Sequence, residues 1–153
     1  MEKLKAIITK KPTLFIVTSL VYLVFIALLK WEINFVSNSA LFMIGGIIGV
    51  YFIDIAEDFF CLDPSPFRSI VFCAGFVAVS IFVVTSSGAP LAIGLVLSMY
   101  LNMIMKLWGQ WKLTGNLKDW YTMVAEPVSR KTQIYSLIGF IGIFLIETLV
   151  YIR

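Results

Sequence analysis

Long uncharged apolar runs, separated by short polar breaks, set the pattern of this chain. Thr13 to Leu29 carries no charge and is closed by Lys30 and Trp31. At 1.5 Å of rise per residue, a helix over 13–29 reaches about 26 Å, enough to cross a bilayer with its flanks, and Pro12 is tolerated at its first turn. A cleavable leader would have a shorter apolar region and a small-residue cleavage site, so the run reads as a retained helix. A second run starts near Ala40 and meets Asp54, Glu57 and Asp58 before Pro64 and Pro66 force a turn. Its uncharged part is too short to span about 30 Å of hydrocarbon, so the helix is expected to continue over 40–60. Residues 69–87 form a third uncharged run. The tight turn Ser87-Gly88-Ala89-Pro90 makes it an antiparallel neighbour of the fourth, 91–107. The last run covers 134–152 and contains Glu147.

Between the fourth and fifth runs lies the longest polar stretch. Within it, Leu117, Trp120, Tyr121 and Val124 recur at i, i+3, i+4 and i+7 behind Asn116, a plausible N-cap. This predicts a short amphipathic helix over 116–125, lying at the cytoplasmic membrane surface with its tryptophan at headgroup depth.

The pattern therefore predicts an all-α membrane protein: a single-domain bundle of five transmembrane helices with one interfacial helix. Basic residues orient it. With the N-terminus inside, Lys3, Lys5, Lys10, Lys11, Arg68, Lys106, Lys112, Lys118, Arg130 and Lys131 fall on the cytoplasmic side. Only Lys30 and Arg153 of the 12 basic residues fall outside. That bias implies an N-in, C-out protein, and five passes with short loops suit a bacterial cytoplasmic (inner) membrane, a pattern that an archaeal or organellar membrane also fits.

Composition agrees. Of the 153 residues 60% are hydrophobic and only 14% charged, about half of what a solvated surface needs. The two cysteines, Cys61 and Cys73, form no CxxC pair and read as small buried hydrophobes. The absence of histidine removes bis-histidine haem and most catalytic zinc sites. No nucleophile elbow, zinc-protease motif or phosphate loop is present, so no enzyme, cofactor or metal site is expected. Asp54, Glu57, Asp58 and Asp63 suit Mg²⁺ with a lipid phosphate, but lack the arginine and glycine spacing of aspartate-rich lipid transferases.

The candidate chemistry lies in polar residues set within apolar runs. Asp54, Glu57 and Asp58 share one helix face. Three clustered carboxylates repel, so they form either a cation or proton site or ion pairs with Arg68, Lys106 or Arg130. Glu147, about 7 Å inside its helix end, is a functional candidate by its depth, with Lys30 or Arg153 as its ion-pair partner and Thr85, Ser86 and Ser87 at the same membrane face as hydrogen-bonding groups. Gly94, Ser98, Asn102 and Lys106 form a stripe at four-residue spacing that must face protein or water. Gly45 and Gly49 make a GxxxG pair for close helix packing, with Gly139 and Gly142 as candidates for the facing surface.

Two functions are compatible with these features. One is a non-enzymatic membrane subunit or scaffold, whose partners are the lipid bilayer, anionic headgroups at the cytoplasmic face and other membrane proteins. The other is a small cation- or proton-coupled transporter or channel using Asp54, Glu57, Asp58 and Glu147. Tryptophans among the cytoplasmic basic residues favour anionic lipid over nucleic acid. The two functions divide on whether Asp54, Ser98 and Asn102 line a wet cavity or close on one another.

Overall fold

The computed structural model describes residues 11–31, 37–62, 65–124 and 127–153. Lys3, Lys5, Lys10, Asp63 and Pro64 lie outside them. The described residues form α1 (Thr13–Trp31), α2 (Ser37–Phe59), α3 (Ile70–Ser86), α4 (Pro90–Thr114) and α5 (Arg130–Ile152), with 3₁₀ turns at Pro66–Arg68 and Lys118–Tyr121 and no strand. Four helices, α1, α2, α4 and α5, are long and apolar enough to cross a membrane. The fifth apolar helix, α3, is shorter at 17 residues.

Local chemistry sets the helix ends. Ser69 Oγ caps α3 by accepting from Phe72 N at 3.1 Å, and Ser129 Oγ caps α5 by accepting from Thr132 N at 3.2 Å. Pro90 occupies the first turn of α4, where no backbone donor is lost. Gly115 ends α4 in the left-handed region at φ 66°, its N–H donating to Trp111 O at 2.9 Å.

That glycine corrects the fourth helix. The expected end at residue 107 followed the arrival of charge at Lys106, but α4 continues two turns further, to Thr114. A helix that keeps its own backbone bonds can leave hydrocarbon without stopping, and its terminator is Gly115.

The extension also displaces the expected interfacial helix. Over 116–124 the structure has only the 3₁₀ turn, and Leu117 and Trp120 are buried in the protein core instead of facing a membrane surface. Leu117, not Asn116, is the N-cap, and Asn116 Oδ1 accepts from Lys118 N at 3.2 Å. Residue 125 lies outside the described residues. The apolar spacing was real, but α3 and the ends of α4 and α5 cover it. Trp120 Nε1 donates to Gln110 Oε1 at 2.6 Å, Leu117 N donates to Gln133 Oε1 at 2.8 Å, and Gln133 Nε2 donates to Val128 O at 3.1 Å. Replacing Gln133 with leucine removes the partners of two backbone groups at once. Stability in detergent should fall by about 1–2 kcal/mol, read as a lower unfolding midpoint.

The core is centred on α4, which packs against all four other helices. Leu97, Tyr100 and Met103 on α4 are fully buried, together with Leu23 of α1 and Phe42 of α2. Tyr100 packs against Phe76 of α3 and against Phe140 and Phe144 of α5, its ring centroid 4.3 Å from that of Phe140. Outward faces of α1, α2, α3 and α5 remain apolar, for example Val21, Ile48, Phe82 and Leu149.

Candidate functional site

The site grows from the closest helix pair, α2 and α4. Glycine makes the approach possible. A Cβ on Gly45 would lie 2.0 Å from Leu91 O, one on Gly49 2.2 Å from Leu95 O, and one on Gly94 2.1 Å from Phe42 O. The surface facing the Gly45–Gly49 pair is thus α4. Gly139 and Gly142, expected opposite that pair, have nothing within 4 Å of a built Cβ. Apolar periodicity cannot tell which of several glycine-bearing helices is the neighbour.

Once the backbones touch, the α4 stripe meets α2 in register. Ser98 Oγ donates to Gly46 O at 2.6 Å, Asn102 Nδ2 to Val50 O at 2.8 Å, and Lys106 Nζ to Asp54 Oδ1 at 2.6 Å. Each pair is separated by the same 52 residues, so the two helices run parallel and every turn repeats the contact. In low dielectric such bonds are strong, and the groups would be costly to leave unpaired.

At the end of this series, charges of alternating sign form a chain. Lys11, just before α1, donates Nζ to Asp54 Oδ2 at 2.7 Å and also to Val50 O. Lys106 bonds the other Asp54 oxygen and lies 4.0 Å from Glu57. Glu57 accepts from Arg68 Nε at 2.9 Å, Arg68 Nη2 at 2.6 Å and Ser65 Oγ at 2.7 Å. Burial pushes the Lys11 ammonium below its ordinary value, with the Asp54 hydrogen bond and charge pulling against it.

Lys11, Asp54, Lys106, Glu57 and Arg68 therefore form one alternating network, in which Lys106 lies between the Asp54 and Glu57 carboxylates while Lys11 pairs with Asp54 and Arg68 with Glu57. Asp58 is exposed and makes no ion pair among the described residues. No group of three or more His, Cys, Asp or Glu among the described residues is arranged to hold a metal ion. Sequence reasoning counted Lys11 only as an inner-side charge. Its usable signal is its place directly before Pro12, where α1 entering beside α2 brings it over the Tyr51 ring at 5.1 Å.

Glu147 lies apart from this network. It is buried, and Ser80 Oγ of α3 is 2.8 Å from its Oε1. Lys30, the expected partner, instead donates to Tyr151 O and sits over the Tyr151 ring at 4.6 Å. A lysine at a helix end reaches the nearest carbonyl and aromatic face more cheaply than it follows a carboxyl inward.

Comparison with protein-family models, with curated proteins and with solved structures finds no match.

Proposed function

We propose that this protein is a five-span, N-in, C-out integral membrane protein acting as a non-enzymatic subunit or scaffold in a bacterial inner membrane. The observation that carries this reading is the closure of the α2–α4 seam. Ser98, Asn102, Lys106 and Asp54 bond across it, where a transport path would need them open to water. Polar groups fixed in this way build a rigid body, and the apolar outer faces of α1, α2, α3 and α5 are left to meet lipid or other membrane helices.

The fifth span is α3. Its 17 residues reach about 25 Å, which a bilayer accommodates by modest thinning. At the inner end, exposed Lys112, Lys118, Arg130 and Lys131 suit anionic headgroups, with Arg130 stacked over Trp111 at 5.3 Å.

Labelling tests the topology directly. Cys61 is exposed before α3, and a cysteine introduced at Ser87 would follow it. An impermeant maleimide should reach residue 87 from outside intact cells and Cys61 only after the membrane is opened. Labelling of both from one side would show that α3 does not cross. The scaffold role is tested by extraction into native lipid discs. A co-purifying membrane protein or a defined oligomer is expected, and a lone monomer would count against it. Transport has its own test: cation or proton flux in liposomes that is lost on Asp54→Asn would replace the scaffold reading.

A further inference from the structure

Among the described residues the only buried carboxyl outside the charge network is Glu147, and its surroundings raise a question of hydrogen-bond accounting. Ser80 Oγ lies 2.8 Å from Glu147 Oε1 and 2.9 Å from Val77 O. A serine hydroxyl has one hydrogen, so it cannot donate to both oxygens. If Ser80 donates to Val77 O, the short contact to Glu147 needs a hydrogen from the glutamate. If Ser80 donates to Glu147, its contact with Val77 O joins two acceptors with no hydrogen between them. A neutral Glu147, donating to Ser80 Oγ while Ser80 donates to Val77 O, gives each contact its own hydrogen.

The remaining surroundings agree. No Lys or Arg nitrogen among the described residues lies within 4.0 Å of Glu147. Its Oε2 has no hydrogen-bond partner among them. A neutral acid leaves there a carbonyl-type oxygen, which is tolerable, whereas an anion would leave a buried charge with neither cation nor donor. The other hydroxyls nearby are committed. Tyr22 OH from α1 and Thr148 Oγ1 bond each other at 2.8 Å, and Tyr100 OH from α4 donates to Phe140 O at 3.0 Å. Tyr22 and Tyr100 are also the ionisable groups that a charge on Glu147 acts upon, and neither supplies a cation.

We propose that Glu147, Ser80 and Val77 O form an intramembrane proton-binding site, in which Glu147 is the protonated acid and donates to Ser80. Burial by α1, α3, α4 and α5 limits the ligand to a proton, because a metal ion or a basic side chain would need those helices to part. Loss of the proton would set an unpaired charge between α3 and α5, so proton occupancy is coupled to their contact.

Solid-state NMR of the full chain in lipid vesicles, with glutamate labelled at the carboxyl carbon, tests this at neutral pH. One glutamate carboxyl should resonate as a protonated acid, and that resonance should vanish in Glu147→Gln. The glutamine can donate its amide to Ser80 in the same sense, so its unfolding midpoint should match wild type. Should that variant fail to fold, correlation of the carboxyl carbon to its neighbours assigns the resonance in wild type. A wild-type spectrum in which every glutamate carboxyl carbon resonates as a carboxylate overturns the proposal. So does a protonated resonance that belongs to another glutamate while Glu147 resonates as a carboxylate.

Discussion

Asp54→Asn should destabilise the fold by about 3 kcal/mol, through the two lysines it leaves facing each other. Asp54 accepts from Lys11 and Lys106 on separate oxygens, and their side chains are only 4% and 17% exposed. An amide keeps the shape but removes the charge that lets both ammonium groups sit at one end of α2. Equilibrium unfolding in mixed detergent micelles measures the loss. The control is Arg68→Gln: Arg68 is 56% exposed, so its pair with Glu57 is screened, and its removal should cost no more than about 1 kcal/mol. Combining Lys11→Met, Asp54→Leu and Lys106→Met should recover most of the loss, since a buried ion network is often matched by apolar residues of similar volume. If Asp54→Asn leaves the midpoint unchanged, the network does not hold α1, α2 and α4 together.

Larger still should be the effect of closing the glycine seam. Gly49→Leu forces a side chain where even a Cβ would meet Leu95 O and Ser98 Oγ at 2.2 Å. The obstacle at Leu95 is backbone, so the helices must separate. Separation breaks Ser98 from Gly46, Asn102 from Val50 and Lys106 from Asp54 together. A loss of about 3 kcal/mol or more is expected, with reduced yield of folded protein from membranes. Gly45→Leu should behave alike, because its obstacle is Leu91 O. Gly139→Ala and Gly142→Ala should have the opposite sign. Both sites are open, and alanine is favoured over glycine within a helix by up to about 1 kcal/mol. Equal losses at all four positions would show that intrinsic helix propensity, not the seam, governs them.

The two sets of glycines also show what a linear reading can and cannot reach. Gly45 and Gly49 look like Gly139 and Gly142 in sequence, yet only the first pair abuts another backbone. The stripe Gly94, Ser98, Asn102 and Lys106 was legible because one helix face must avoid lipid along its length. Its partners Gly46 O and Val50 O were not, because every residue carries a carbonyl and composition does not mark the ones that meet a neighbour. Trp120 illustrates the reverse. Its spacing with Leu117 announced a buried face, but not whether lipid or protein would bury it.

By itself the sequence determined that the chain is helical and membrane-like in composition. It also determined roughly where the helices lie and which polar residues must find partners. These follow from local quantities: run length against bilayer thickness, caps and prolines at the ends, and the four-residue period of a helix face. Only the tertiary structure decided the parallel α2–α4 register, the seating of Lys11 on Asp54, the diversion of Lys30 to Tyr151 and the isolation of Glu147 beside Ser80. Each depends on which helices become neighbours and at what offset. That choice is made by the fit of glycine gaps and side chains across distant parts of the chain, which no local pattern contains.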